Sequence, residues 1–484
     1  MLSNVAVRYR LLPTQIKASI WFVVCSFLQK GVSMITTPIF TRLLSTGEFG
    51  QYNVFNSWLS IVTIFVSLNL FYGVYTQALI KFDKERDSYT SSLQGLTLVL
   101  VACWTIIYLA SHEFWNQLFS LTTVQMLAML IMIWSSSVFN FWAGEQRVLL
   151  KYKVLVCITL LVSFAKPIIG IIFVLNADDK VTARILSLVL VELVCYTGLF
   201  IVQMYRGKIF YSKRFWRHAL LFNLPLVPHY LSQIVLSSAD RIMIGRMVGD
   251  ESAGIYSLAY SLAQVMVLFN AALTQTLSPW IYQKIKDQKI SDITGVAYGS
   301  LILIAMVNIL LIAFAPEAVA VFAPKEYYDA KWIIPPVAMS VYFIFVYDLF
   351  AKFELFYEKT TLIMVASTVG AVLNVILNFL LIPILGYYVA GYITLVCYVL
   401  YAVFHYILMN RICQEKLSEQ PFTGKILLRI TLLFLGLGFV FLSTYNSLVL
   451  RYVFVFILCG IIMLKREWLI LTFKQLLHTR TSEE

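Results

Sequence analysis

Charge is scarce in this sequence. Aspartate, glutamate, lysine and arginine together supply 13% of the 484 residues, about half the share of an ordinary globular domain. A soluble fold of this length would have too little polar surface to show water. Zinc-type spacing is also missing: there is no CxxC pair and no suitable cysteine–histidine pattern. The seven cysteines (Cys25, Cys103, Cys157, Cys195, Cys397, Cys413, Cys459) are scattered, mostly within apolar runs, and are expected to be buried thiols. The five histidines are dispersed, and neither a compact His/Asp/Glu constellation nor a nucleotide-binding glycine loop is present. Long connections are absent too. The longest, Tyr205–Arg217 and Pro316–Ala330, are too short for a catalytic domain. These absences argue against an enzyme, a metal centre or a cofactor.

What remains is apolar sequence. Hydrophobic residues make up 60% of the chain and mean hydropathy is +0.82. A bilayer-spanning helix needs about 20 apolar residues, and such runs recur throughout. They predict an all-α integral membrane protein with spans near 16–39, 51–75, 92–111, 121–143, 153–175, 184–204, 219–247, 253–277, 294–315, 331–351, 361–383, 387–409, 425–446 and 449–464. The first span carries Lys30 and lacks the pattern of a cleaved signal peptide, so the N-terminus is expected to be retained. With that terminus inside, cytoplasmic segments hold about 26 Lys and Arg against 8 outside. One miscounted span would erase the contrast. About fourteen helices with both termini cytoplasmic follow, and the +12 net charge reads as topology, not as a nucleic-acid surface.

The chain also repeats. Arg42, Gly50 and Tyr52 recur as Arg246, Gly254 and Tyr256, each 204 positions later. The same offset pairs Gln29 with Gln233, Ser33 with Ser237 and Ser57 with Ser261. Both copies start at odd-numbered spans, which makes the repeat parallel. The expected organisation is an N-lobe of six helices over 1–204 and a basic cytoplasmic linker over 205–218. A six-helix C-lobe over 219–409 follows, then two further helices and a tail over 410–484. Parallel two-lobe chains suit alternating access.

The stretch Pro38-Ile-Phe-Thr-Arg-Leu-Leu-Ser-Thr-Gly-Glu-Phe-Gly-Gln-Tyr52 resembles the end of the first helix in polysaccharide flippases. Ser238-Ala-Asp-Arg-Ile-Met-Ile-Gly245, with Ala253-Gly-Ile-Tyr256, looks like their seventh-to-eighth helix signature. These belong to the multidrug/oligosaccharidyl-lipid/polysaccharide exporter superfamily, and the likeness runs over nearly the whole chain. It implies a V-shaped central cavity in a bacterial cytoplasmic (inner) membrane. It further implies translocation of an undecaprenyl-pyrophosphate-linked oligosaccharide, for O-antigen or capsule. Membrane lipid, a polysaccharide polymerase and chain-length proteins are the implied partners. The rivals are a peptidoglycan-precursor flippase and a multidrug antiporter of the same superfamily. The deep charges are mainly basic, which favours an anionic substrate. A scaffold for a synthesis complex is a third reading.

Ionisable residues at membrane depth are functional candidates. Ser26, Lys30, Ser33 and Thr37 share one face of the first span, and Tyr230, Ser237 and Arg241 share one face of the seventh. Both stripes are expected to face a cleft between the lobes. Lys30, Lys166, Arg241, Ser33, Ser237 and Tyr256 are the candidate cargo-binding residues, with Arg42 and Arg246 at the cavity mouth. Glu192 and Asp240 are candidates for ion coupling or charge pairing, Glu192 with a lysine and Asp240 with Arg241. Asn374 and Asn378 suit hydrogen bonding between helices. Pro38, Pro225 and Pro228 are candidate bending points.

Overall fold

The computed structural model describes residues 13–417 and 419–464. The basic residues expected at the two ends, among them Arg8, Arg10, Lys474 and Arg480, lie outside the described residues, as do both termini. Within the described residues the chain is helical throughout, with no strand. By internal contacts it divides into two compact units at Ile234/Val235.

The first unit runs through α1 (Thr14–Leu43), α2 (Thr46–Ser67), α3 (Val74–Lys81), α4 (Arg86–Ala110), α5 (His112–Phe119), α6 (Thr123–Val148), α7 (Tyr152–Leu175), α8 (Lys180–Gly207) and α9 (Lys213–Asn223). It also takes in the first part of α10 (Val227–Met247). The helix starts are written locally. Ser45 and Glu48 form a reciprocal capping box on α2, Thr122 and Gln125 do the same on α6, and Asp179 caps α8. α8 packs on α6, α7 and α4, and the core fills with side chains such as Phe55, Met129, Ile133 and Ile185.

A polar cross-link ties α4, α6 and α8 together. Gln94 bonds Gln203 at 2.7 Å, and Arg206 clamps Glu145 through two nitrogens at 2.9 and 3.0 Å. The segment expected to be a linker is fixed in the same way. A Cβ at Gly207 would collide with the Asp87 carbonyl and Ser91, so only glycine lets α8 end this close to α4. Ser91 Oγ then donates to the Ile209 carbonyl, and Trp216 Nε1 donates to Ser92 O at 2.9 Å. Part of the basic stretch is therefore helix, α9, whose Phe215 and Ala219 join the core around Tyr75 and Tyr89.

The second unit comprises the rest of α10, then α11 (Asp250–Lys286), α12 (Ile290–Ala313), α13 (Ala315–Phe322), α14 (Ile334–Phe356), α15 (Thr360–Leu385), α16 (Val389–Lys416), α17 (Gly424–Ser443) and α18 (Leu448–Leu464). α14 is its central post, buried along most of its length. It packs on α11, α12 and α16. Glu354 and His405 join α14 to α16 at 2.7 Å, both fully buried. α17 adds Phe434 against Tyr342, ring centroids 4.3 Å apart. α18 is clipped to α13 by the Arg451–Glu317 ion pair.

α4 begins at Arg86 and α12 at Ile290, 204 positions apart, whereas α8 and α16, each 28 residues long, begin at Lys180 and Val389 and do not keep that offset.

Among the described residues, twelve helices are long and apolar enough to cross a membrane. The other two expected spans are helices as well, but they differ from the twelve. α2 has a polar first half (Glu48, Gln51, Asn53, Asn56), and the apolar helix over the last expected span is short. The span expected over 219–247 is interrupted by a 3-10 turn, Leu224–Leu226. Pro225 and Pro228 lack the N–H that an unbroken helix would use there. The expected connection Pro316–Ala330 is likewise ordered, as α13 and the 3-10 segment Lys325–Trp332. Cys25, Cys397 and Cys413 are buried, but Cys103 and Cys157 are exposed. That corrects the expectation of buried thiols: an apolar run has an outward face, which in a membrane protein needs no protein cover.

Candidate functional site

In the first unit, α6, α7 and α8 bring four polar residues together. The Lys166 ammonium lies 2.7 Å from Glu192 Oε1, and Ser135 donates to Glu192 Oε2 at 2.6 Å. The pair is asymmetric: the Lys166 side chain is 30% exposed, Glu192 only 5%. Pro167 follows the lysine, and Arg184 Nη1 donates to the Lys166 carbonyl at 3.1 Å. The Arg184 guanidinium lies over Phe40, 3.7 Å from its centroid, with Tyr52 at 5.6 Å. This arginine is 7% exposed. Among the described residues it has no carboxylate within ion-pair distance, and its Nε has no acceptor. Gly170 makes room for it, because a Cβ there would occupy the guanidinium's place. The cluster of Lys166, Glu192 and Arg184 keeps one uncompensated positive charge.

In the second unit, Asp240 is 1% exposed and sits in a cage of neutral donors. Tyr256 Oη donates to it at 2.7 Å, Thr394 Oγ1 at 2.8 Å and Asn378 Nδ2 at 2.8 Å. Asn378 Nδ2 also reaches Asn374 Oδ1 at 3.1 Å, while Asn378 Oδ1 and Asn374 Nδ2 have no partner among the described residues. The neighbouring Arg241 does not pair with Asp240. Its Nη2 donates to the Ser237 carbonyl at 2.9 Å, and its guanidinium lies 4.4 Å from the Tyr260 ring centroid. Consecutive helical residues point about 100° apart, which separates the two side chains. A second cation therefore rests on a carbonyl and a ring instead of a carboxylate.

The remaining sequence-derived candidates are placed as follows. Lys30 and Ser33 are exposed on α1. Among the described residues Lys30 has no ion pair. Arg42 and Arg246 are exposed near helix ends, and Ser237 is half-buried. Tyr256 is fully buried with its hydroxyl committed to Asp240, which puts it in the cage and not on an open sugar-binding surface. Glu192 takes Lys166 as its lysine. Sequence reasoning missed Arg184, which it counted among the outer charges. The available signal was Gly170, a glycine inside an apolar span one turn after Lys166.

The described fold is shared with solved transporters. A multidrug resistance MATE family transporter of the MOP superfamily, inward-facing, superposes with TM-score 0.59 over 80% of this chain and 96% of its own, at 12% identity. The lipid II flippase MurJ, inward closed, gives 0.58 over 89% and 100%, at 14% identity. Those likenesses show the fold alone; with its twelve membrane-length helices among the described residues it defines a multi-pass membrane protein. The chain belongs to the family described as polysaccharide biosynthesis protein, which it matches over residues 16–285. Residues 225–380 also match the MatE family. Lsg locus putative protein 1 of Haemophilus influenzae is 24% identical over 386 residues, 74% of this chain and 89% of that protein. An uncharacterized membrane protein of the same organism is 20% identical over 374 residues, 74% and 88% respectively.

Proposed function

We propose that the protein is a transporter, not an enzyme, that flips undecaprenyl-pyrophosphate-linked oligosaccharide repeat units from the cytoplasmic to the outer leaflet of a bacterial inner membrane. The product would serve O-antigen or capsule assembly, with both termini cytoplasmic and a polymerase and chain-length proteins acting downstream. The observation that carries this reading is Arg184, a buried cation that the described residues leave without a carboxylate. Taking a guanidinium out of water is costly unless an anion compensates it, and a pyrophosphate diester brings two negative charges. Arg184 and the open side of Lys166 are the groups that would receive it, and Arg241 offers the same chemistry in the second unit. An inside-negative potential then assists outward movement by roughly 2.3 kcal/mol per charge per 100 mV. The sugar would travel in water and the prenyl tail in lipid, as the two halves alternate access.

The Asp240 cage, with its unpartnered Asn378 oxygen, is the better-built place for a coupling proton or monovalent cation. Lys30 and Ser33, on an open face, are proposed cavity residues, with Arg42 and Arg246 near the mouth.

Deleting the gene should leave lipid-linked repeat units on the inner leaflet; normal export in the deletion strain would refute the reading. Gly170→Ala should be a specific probe. Its methyl displaces the end of a flexible arginine, so membrane level should stay near wild type. Export should fall at least about tenfold, the equivalent of one lost charge-assisted bond. Full export by this variant would remove Arg184 from the cargo path.

A further inference from the structure

The Lys166–Glu192 pair raises a problem for an anionic cargo. A lysine already neutralised by a carboxylate attracts phosphate weakly, and a carboxylate 2.7 Å away repels it. The asymmetry of the pair suggests the resolution. Lys166 has an open side and a four-carbon stem that can swing; Glu192 is enclosed, with Ser135 as its other bonding partner.

We propose that Glu192 and the cargo's pyrophosphate compete for the Lys166 ammonium, so that each head group bound places one proton on Glu192. This rests on the functional reading above and adds the exchange step at that site. When the ammonium turns to phosphate, Glu192 is left enclosed at membrane depth without a counter-charge, a state that buried acids escape by protonation. The carboxylate takes a proton from solvent on the open side of Lys166, and no bond to phosphorus forms or breaks. Ser135 suits both states, because its hydroxyl donates to a carboxylate and accepts from a carboxylic acid.

The groups facing Glu192 are few. α7 supplies Lys166; α8 itself carries Tyr196 and, beside Lys166, Cys195, with Arg184 two turns earlier on the Lys166 carbonyl; α6 supplies the neutral Ser135. α1 adds Phe40 and α2 adds Tyr52, both against Arg184. α4 meets α8 further along its length, through Gln94 and Gln203. Arg184 lacks a carboxylate throughout, so it holds the anion while the exchange proceeds.

The test is calorimetric titration of the purified full-length protein with farnesyl-pyrophosphoryl-N-acetylglucosamine. The two charges of this diester do not titrate between about pH 6 and 8. Runs in two buffers of different ionisation heat count the protons. Wild type should take up about one proton per ligand, and its affinity should rise up to about tenfold for each unit fall in pH. Glu192→Gln should take up none, bind independently of pH, and bind more tightly than wild type at alkaline pH. Binding by wild type without proton uptake overturns this inference alone, even if Glu192→Gln fails to fold. Uptake that persists in Glu192→Gln also overturns it alone. No binding of the probe by wild type overturns the functional reading as well.

Discussion

Asp240→Ala should be the most damaging single substitution in the second unit. The carboxylate accepts from Tyr256, Thr394 and Asn378, and Tyr256 and Asn378 are fully buried. Removing the acceptor strands buried donors, at about 1–3 kcal/mol each. A loss of roughly 3 kcal/mol or more is expected, enough to unfold much of a marginally stable protein. Heating followed by size-exclusion chromatography should show little monodisperse protein. Asp240→Asn separates folding from coupling. Its amide keeps an acceptor oxygen and the volume but carries no charge. It should remain folded, yet its transport should keep only the proton response carried by Glu192 and lose the rest of its dependence on the proton or sodium gradient. Unchanged gradient dependence in Asp240→Asn would move coupling elsewhere.

Lys166→Ala should have the largest effect on transport. It removes a cation from the proposed cargo site and leaves Glu192 enclosed with Ser135 alone. Truncating one partner of a buried pair costs about 3–5 kcal/mol; the lower end is expected here because Lys166 is 30% exposed. Export should fall at least about a hundredfold, corresponding to some 2.7 kcal/mol of lost anion binding. The double variant Lys166→Met with Glu192→Gln distinguishes folding from function, since replacing both partners of a buried pair by neutral groups is often harmless. It should regain wild-type membrane level and still fail to export. Restored export would mean that the pair is structural.

Much of the fold was legible because membrane helices are written in long apolar runs. Each of the fourteen expected spans has a helical counterpart. Breaks were harder to see. Pro225 interrupts α10's lead-in, while Pro38, Pro167, Pro279 and Pro383 lie inside continuous helices. A proline removes one hydrogen bond, and packing decides whether the helix yields.

The site was legible by residue type but not by partner. Glu192 stood out as an acid within an apolar run, and pairing with a lysine was foreseeable; that the lysine is Lys166 depends on how α7 and α8 cross. Asp240 was read with its chain neighbour Arg241, yet Thr394, 154 positions away, is one of its actual partners. Helical periodicity assigns a residue to a face without naming what that face meets. Arg184 escaped notice for a related reason. Its position near a helix start looked interfacial, whereas its side chain runs inward along Gly170 to the Lys166 carbonyl.

The most direct test is reconstitution of the purified protein into liposomes with a lipid-linked oligosaccharide and an imposed membrane potential, scoring how fast the head group becomes accessible from the opposite face. Wild type should translocate the pyrophosphate-linked sugar at least about a hundred times faster than Lys166→Ala and at least about ten times faster than Gly170→Ala, and faster still when the potential draws negative charge across. Equal rates in wild type, Lys166→Ala and protein-free liposomes would contradict the account.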